Sequence, residues 1–302
     1  MKLGFGLPVS GSWATPANMV HFAQRAEALG YDSLWTFQRL LNPVDAELAP
    51  AYHSVHDPLV ALGYVAAVTE RVRLGVAIVN LPFYAPIVLA KQLTTLDILS
   101  AGRLDVGVGL GWAPQEFAAT NVPIERRGKR AEEYVACLQA IWAADPVEFE
   151  GEFYRVPRSG VLPKPVQRPH PPLLFGGGAE RALQRVGRLG AGWISASRAD
   201  LTRIDQDIAV IKKSAEEAGR DADALRFITR GVVRVGPAGA PDRTPLTGSY
   251  EEIKEDIGVL ADRGVTEVFI DLNFNPRFGS TEVDPAVAAA EAEEILEALA
   301  PG

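Results

Sequence analysis

The sequence contains little cysteine and little histidine. Its 302 residues include one cysteine, Cys137, and four histidines. A single thiol cannot form an internal disulfide, and no group of Cys, His and acidic residues has the spacing of a zinc or iron site. Cys137 lies at helical spacing among apolar residues, so we expect an inert, partly buried thiol. The sequence therefore favours neither a disulfide scaffold nor a bound metal.

Long apolar runs are also missing. No stretch approaches the about 20 apolar residues that cross a bilayer, and the first residues lack the apolar core of a secretion signal. We therefore expect a cytoplasmic protein without a membrane partner. The formal net charge of −8 argues against a nucleic-acid partner, because phosphate binding needs clustered excess lysine and arginine. The expected partner is a small-molecule substrate.

Short strands and helices alternate along the chain. Apolar runs predict strands at 2–7, 33–37, 73–79, 104–109, 173–176, 192–196, 225–235 and 266–271. Helical periodicity and capping residues predict helices between them, including one that begins at Thr15-Pro16 and one that begins with the capping box Ser249-x-x-Glu252. A hairpin at 147–156 and a proline-rich stretch at 163–172 interrupt the alternation. About eight β-α units without a change in composition predict an α/β protein, a single (β/α)8 barrel domain over 1–302; a doubly wound sheet is the alternative.

The stretch GRLDVGVGLGW at 102–112 carries glycine at three alternate positions, Gly107, Gly109 and Gly111. A dinucleotide-binding loop needs the spacing G-x-G-x-x-G at a first strand-to-helix turn, and this stretch has neither that spacing nor that place. Glycines at alternate positions of a strand leave one face free of side chains. That free face could serve either a flat cofactor ring or tight packing inside the barrel.

The stretch PLLFGGGAERALQRVG at 172–187 predicts an anion site. A strand leads through three glycines directly into a helix, whose first N–H groups and dipole attract negative charge. Barrels commonly bind phosphate at such a late turn. The turn therefore predicts a phosphorylated cofactor. The basic run at 126–130 could also serve an anionic ligand, although we expect most of these charges to be a solvated helix turn.

Several motifs in this order resemble the luciferase-like flavin and deazaflavin oxidoreductases, in particular the F420-dependent group. They are YDSLW at 31–35, the run from RVRLG to PQEF at 71–117, RGKRAEEY at 127–134 and FGGGAERALQRVGRLGAGW at 175–193. The resemblance implies a luciferase-like barrel, a homodimer, and a cofactor ring at the carboxyl ends of the strands against a non-prolyl cis peptide in the third strand. By the same match, the expected cofactor-binding residues are Phe37, Gln38, Ala77, Ile78, Gly109, Gly111, Trp112, Gly176, Gly177, Gly178 and Ala179.

The chain departs from this family where alcohol-oxidising members carry Asp-His after the second strand and Glu at the position of Trp112. In this sequence the residues at those positions are Gln38-Arg39 and Trp112. We therefore expect F420-dependent reduction of an activated double bond, with Arg39 polarising the acceptor oxygen. The alternative interpretation of Arg39 is that it forms an ordinary surface salt bridge and has no role in the reaction. An FMN-dependent monooxygenase and a non-catalytic flavin-binding accessory protein are the alternative functions.

Proton transfer needs a further group, and two histidines lie in the long loop after the second strand. His53 or His56 could donate the proton, because an unperturbed imidazole is partly charged near neutral pH. A solvated loop histidine is the simpler interpretation of each. Glu116 and Tyr84 are weaker candidates.

Overall fold

Eight parallel strands close into a barrel in the computed structural model, which describes residues 1–302. Each strand pairs with the next along the chain, and the last pairs with the first. This confirms the predicted α/β class and (β/α)8 barrel. The strands are β1 (Lys2–Gly6), β2 (Ser33–Thr36), β3 (Arg73–Asn80), β4 (Leu104–Gly109), β5 (Leu173–Gly176), β6 (Gly192–Ile194), β7 (Arg226–Gly231) and β8 (Glu267–Ile270).

Helices connect the strands and surround the barrel. The predicted caps are confirmed: the Thr15 side chain accepts from the Asn18 N–H, and Ser249 and Glu252 form a capping box. No helix is both long and apolar enough to cross a bilayer. The helices are α1 (Pro16–Ala28), α2 (Pro58–Ala66), α3 (Pro86–Leu99), α4 (Pro114–Ala119), α5 (Arg127–Ala143), α6 (Glu180–Leu189), α7 (Ile204–Glu217), α8 (Tyr250–Asp262), α9 (Pro276–Gly279) and α10 (Pro285–Ala298), with short 3-10 turns at Pro50–Tyr52, Leu81–Phe83, Leu201–Arg203 and Leu272–Phe274.

Two regions outside the barrel refine the sequence expectations. The predicted hairpin is present, with antiparallel strands Val147–Glu150 and Arg155–Ser159. The strand predicted over 225–235 is split, because β7 ends at Gly231 and Arg234–Val235 pairs instead with Thr247–Gly248 away from the barrel. Apolar periodicity runs through both pieces, so it could not reveal the change of pairing partner.

Apolar side chains fill the middle of the barrel and the layer between its strands and helices. The smaller, inner cluster contains Trp35, Ala77, Leu174, Ile194, Ile228 and Phe269. Cys137 belongs to the outer layer on α5 and is fully buried, and burial raises the pKa of its thiol to about 11. The thiol therefore stays protonated near neutral pH, which agrees with the inert role expected.

A buried ionic network closes the amino-terminal end of the barrel. Asp105 on β4 accepts hydrogen bonds from Arg73 at 2.7 and 2.8 Å and from Arg226 at 2.7 and 3.0 Å. Arg226 also bonds Glu267, which accepts from the Trp35 indole N–H at 3.0 Å. Five barrel strands contribute to this network, so it fixes their relative register at the end opposite to the cavity described below.

We predict that Asp105→Asn destabilises the protein at neutral pH. Burial alone would raise the pKa of Asp105, but its bonds to Arg73 and the charge of Arg226 outweigh burial and lower the pKa. A lowered pKa means that the carboxylate stabilises the fold above its unfolded pKa of about 4 and loses this contribution as the pH falls further. Urea unfolding at pH 7 should show a loss of roughly 3–5 kcal/mol for the variant.

Urea unfolding repeated at lower pH separates the electrostatic contribution of the Asp105 carboxylate to stability from the contribution of its packing. The difference between the two proteins should shrink as the pH falls below about 4, because the carboxylate becomes protonated. Asp223→Asn, at an exposed ion pair with Lys212, is the control and should change stability by less than about 1 kcal/mol. A loss that stays constant with pH would contradict the electrostatic explanation.

Candidate functional site

A cavity of about 740 Å3 opens at the carboxyl ends of the barrel strands. Residues that follow β2, β4, β5, β6 and β8 line it, together with side chains from β3 and β7. In barrels this end carries the loops that vary between enzymes, whereas the opposite end serves stability. The cavity is therefore the candidate active site.

The floor of the cavity is a bulge in β3. The register between β3 and β4 shifts between Val76 and Val79, and the peptide bond between Ala77 and Ile78 is cis, as the family resemblance implied. Ala77 and Ile78 both line the cavity. The bulge turns the Ile78 side chain towards β4.

The glycines of β4 make room for this bulge. A Cβ atom at Gly107 would overlap the Val76 carbonyl oxygen, and one at Gly109 would overlap the Ile78 side chain. The free face of β4 is therefore occupied largely by the protein's own bulge, which favours the packing interpretation, although Gly109 still lines the cavity. Gly111 differs from both, because it has a φ of +71° in the turn after the strand and packs against Phe83 and Phe117.

A buried arginine that the sequence reasoning missed lies beside the bulge. Arg230 on β7 is 7% exposed and lines the cavity. Its guanidinium donates to the Ala77 carbonyl oxygen and forms an ion pair with Asp271 at 2.6 Å. The rings of Phe37 and Phe274 lie 5.7 and 4.8 Å from the guanidinium carbon. A charged residue within an otherwise apolar strand, in the segment FITRG, was the available signal.

A second buried ion pair lies at the rim. The Arg39 side chain after β2 is 3% exposed, and its Nη1 lies 3.4 Å from Oε2 of Glu116 on α4. Glu116 also accepts from the Leu40 N–H at 2.7 Å. The Arg39 guanidinium carbon lies 4.6 Å from the Trp112 ring and 5.1 Å from the Tyr52 ring. The alternative of a surface salt bridge is therefore wrong for Arg39, because both partners are buried in the cavity wall.

Gln38 holds the ends of two strands in place. Its side chain accepts from the Asn80 N–H at 2.8 Å and donates to the Tyr84 hydroxyl at 2.6 Å. Burial, with a smaller effect of the Asp57 charge, raises the pKa of Tyr84 to about 12. The Tyr84 phenol therefore stays neutral at physiological pH and serves Gln38 as a hydrogen-bond acceptor.

The glycine turn after β5 has the features of an anion site. Gly177 has a φ of +124°, and the Trp193 indole N–H donates to its carbonyl oxygen at 2.8 Å. Beyond the turn, Ala179 caps α6 without any side-chain hydrogen bond, which leaves the first N–H groups of the helix free for a ligand. A Cβ atom at Gly178 would meet nothing within 4 Å, so the turn is open to a group of phosphate size.

Basic side chains surround this glycine turn. Arg127 at the start of α5 and Arg181 on α6 line the cavity, and neither has a carboxylate within 4.0 Å. Lys129 is paired with Glu152 at 2.6 Å, and Arg185 is paired with a second glutamate at 3.1 Å. The two unpaired arginines give this end of the cavity a net positive charge, so the residues present fit a phosphate-bearing cofactor.

The eleven residues expected to bind cofactor all line this one cavity, and Arg39 lines it as well. His53 and His56 do not. Their imidazole nitrogens face the carbonyl oxygens of Leu48 at 3.3 Å and Ala14 at 2.9 Å, and both residues are exposed. The expectation that either histidine donates a proton is therefore corrected, because neither lines the cavity and both imidazoles contact backbone carbonyl oxygens instead.

The fold and the site define a (β/α)8 barrel with a cofactor-sized cavity at the mouth. The family model for luciferase-like monooxygenases matches residues 4–242. The chain therefore belongs to the luciferase-like monooxygenase family. The family supports an oxidoreductase, and its members similar to this chain use F420 or FMN.

Three relatives illustrate the range of the family. An uncharacterised protein of Mycobacterium tuberculosis is 32% identical over 99% of both chains. The FMNH2-dependent dimethylsulfone monooxygenase of Pseudomonas putida is 31% identical over 69% of this chain and 56% of its own. The F420-dependent glucose-6-phosphate dehydrogenase of Amycolatopsis mediterranei is 30% identical over 73% of this chain and 66% of its own. These relatives support a flavin or deazaflavin cofactor for this chain.

Solved structures agree with the fold over its full length. The monooxygenase RslO1 from Streptomyces bottropensis superposes with a TM-score of 0.80 at 22% identity, covering 99% of this chain and 98% of that one. An F420-dependent secondary alcohol dehydrogenase superposes with a TM-score of 0.79 at 18% identity over the same shares. At these identities the likeness concerns the fold alone.

We predict that Arg230→Met destabilises the protein, because it leaves the Asp271 carboxylate buried without a cation. Urea unfolding at pH 7 should show a loss of roughly 3–5 kcal/mol. The double variant Arg230→Met/Asp271→Asn removes both charges and should recover part of this loss. Arg234→Met, at an exposed arginine of the same segment, is the control and should change stability by about 0.5 kcal/mol or less. Equal effects at both arginines would contradict a structural role of the buried pair.

Proposed function

We propose that the protein is an F420-dependent oxidoreductase that reduces an activated double bond of a small organic substrate. The observation that carries the choice of cofactor is the pair of unpaired arginines, Arg127 and Arg181, beside the glycine turn. F420 continues beyond its phosphodiester into glutamyl carboxylates, whereas FMN ends at its phosphate. The additional cations match the longer anionic tail.

The cavity offers each part of this cofactor a chemically suitable surface. The free N–H groups after Gly178 would hold the phosphate, and Arg127 and Arg181 would face the carboxylates. Ala77 and Ile78 would support the ring from the bulge of β3. Of the remaining expected contacts, all of which line the cavity, Gln38, Gly109 and Gly111 would complete the cofactor site, whereas we assign Phe37 and Trp112 to the substrate side.

Reduced F420 supplies a hydride when it is bound. The chain's own contribution would come from Arg39, whose Nε donates to the Leu41 carbonyl oxygen at 3.0 Å and whose Nη1 faces Glu116. Its Nη2 has no hydrogen-bond partner in the protein and is free to donate to a substrate carbonyl oxygen. A fixed donor at that oxygen stabilises negative charge as it develops during reduction.

An FMN-dependent monooxygenase is the second candidate, supported by the identity to the dimethylsulfone monooxygenase. The glycine turn would serve the FMN phosphate equally well. The two candidates differ in the use of Arg127 and Arg181, which FMN does not require. A flavin-binding accessory protein is a third candidate, and it differs from both by the absence of turnover.

The deciding experiment is a titration of the purified protein with F420 and with FMN, followed by ligand fluorescence. We expect F420 to bind at least about 10-fold more tightly at low salt, with the difference shrinking as added salt screens the tail carboxylates. The double variant Arg127→Gln/Arg181→Gln should lose most of this preference while it still binds FMN. Equal or tighter FMN binding would favour the monooxygenase. F420 binding without reduction of any enone would favour the accessory protein.

The glycine turn allows a sharper test with a matched pair of variants. Gly178→Asp adds a negative charge in open space, and Gly178→Asn adds a side chain of nearly the same size without the charge. We expect the Asp variant to weaken binding of both cofactors by at least about 10-fold, and the Asn variant by less than about 3-fold. Equal effects of the two variants would show that the phosphate does not lie at this turn.

A further inference from the structure

The two sides of the cavity differ in their charge balance. In the barrel, β5 lies across from β1, whose neighbours are β2 and β8. The glycine turn with its unpaired arginines follows β5, whereas Phe37 follows β2 and Phe274 follows β8. Phe37 and Phe274 are therefore across the barrel mouth from the anion site, whereas Trp112, which follows β4, lies at the near end of the aromatic side. A cofactor whose phosphate is at the glycine turn leaves the aromatic side for the substrate.

Four aromatic rings form a continuous surface on the substrate side, which we call the aromatic wall: Phe37, Tyr52, Trp112 and Phe274. Phe37 and Phe274 have ring centroids 4.9 Å apart, Tyr52 and Phe274 5.6 Å, and Tyr52 and Trp112 6.1 Å. All four rings line the cavity. Such a surface suits a flat, conjugated ligand, because aromatic rings contribute both apolar area and stacking.

The charges on this side cancel. Arg39 is paired with Glu116 and Arg230 with Asp271, and none of the four side chains is more than 7% exposed. Both carboxylates are held by further bonds: Glu116 accepts from a backbone N–H, and Asp271 accepts from the side chain of Asn273 at 2.8 Å. The positive charges are therefore not available to neutralise a bound anion.

We propose that the aromatic wall selects uncharged, planar conjugated carbonyl compounds, and that Glu116 sets this selectivity by neutralising Arg39. An anionic substrate would lose its hydration next to a site without net positive charge, which is costly. A neutral carbonyl avoids this cost and can still accept a hydrogen bond from Nη2 of Arg39. The role of this ligand class as substrate depends on the proposed reductase function, but the binding preference itself does not.

A matched pair of ligands tests the preference without any turnover. Benzalacetone and cinnamate share a styryl group conjugated to a carbonyl, but only cinnamate carries a charge at pH 7. Calorimetric titration of the Arg127→Gln/Arg181→Gln variant without cofactor, which removes the unpaired cations of the anion side, should show benzalacetone binding at least about 10-fold more tightly than cinnamate. Equal binding, or tighter binding of cinnamate, would overturn the proposal.

The variant Glu116→Gln tests the cause of the preference. It leaves Arg39 without a counter-charge, so cinnamate should bind at least about 10-fold more tightly than to the unsubstituted protein, while benzalacetone changes by less than about 3-fold. Asp223→Asn, at an exposed ion pair whose lysine, Lys212, does not line the cavity, is the control and should alter neither ligand. Unchanged cinnamate binding by a folded Glu116→Gln variant would overturn the role of Glu116.

Two further measurements distinguish failure of the proposed ligand preference from failure of the proposed reductase function. If Glu116→Gln does not fold, as judged by circular dichroism, Asp271→Asn releases the charge of Arg230 in the same cavity and should tighten cinnamate binding in the same direction. The F420 titration is repeated on each variant. A ligand preference without any F420 binding by the unsubstituted protein would contradict the reductase function alone, and F420 binding by the unsubstituted protein without the ligand preference would contradict the present inference alone.

Discussion

The contact between Arg230 and the Ala77 carbonyl oxygen is the interaction on which the cavity depends. Arg230 lies on β7, donates to the bulge of β3 and is paired with Asp271 after β8. Phenylalanine rings surround its guanidinium, so both interactions are made in a region of low dielectric, where hydrogen bonds and ion pairs are stronger than in water. One side chain thus fixes the floor of the cavity relative to its aromatic wall. The glycines of β4 allow this arrangement, because they leave the space that the bulge occupies.

Burial explains why the arginines of the site have different roles. Arg39 and Arg230 are enclosed by protein, and each has a carboxylate partner, since an unpaired buried charge would be strongly destabilising. Arg127 and Arg181 are exposed at the rim and can remain unpaired at little cost. The same physical rule therefore produces a side of the cavity that attracts anions and a side that does not. For the flavin or deazaflavin cofactor that the relatives support, this difference is the basis of the orientation that we propose, with the phosphate at the glycine turn.

The sequence predicted the parts of the fold and site that are encoded locally. The strand and helix periods, the capping residues and the glycine turn after β5 are all contained in short stretches. The structure confirms their positions, except that the strand predicted over 225–235 is split. The pairing of Arg230 with Asp271 and of Arg39 with Glu116 joins residues 41 and 77 positions apart, so only the closed barrel reveals it. His53 and His56 were selected by their chemistry, but the direction in which their loop points depends on tertiary contacts that no local pattern encodes.

The most direct test of this account is a crystal structure of the protein with F420 bound. We predict that the phosphate lies within hydrogen-bond distance of the N–H groups that follow Gly178, with the tail carboxylates near Arg127 and Arg181. The deazaflavin ring should rest against Ala77 and Ile78 and leave the aromatic wall free. A phosphate bound beside Arg39 would contradict the account, because it would place the anion on the side of the cavity where the charges cancel.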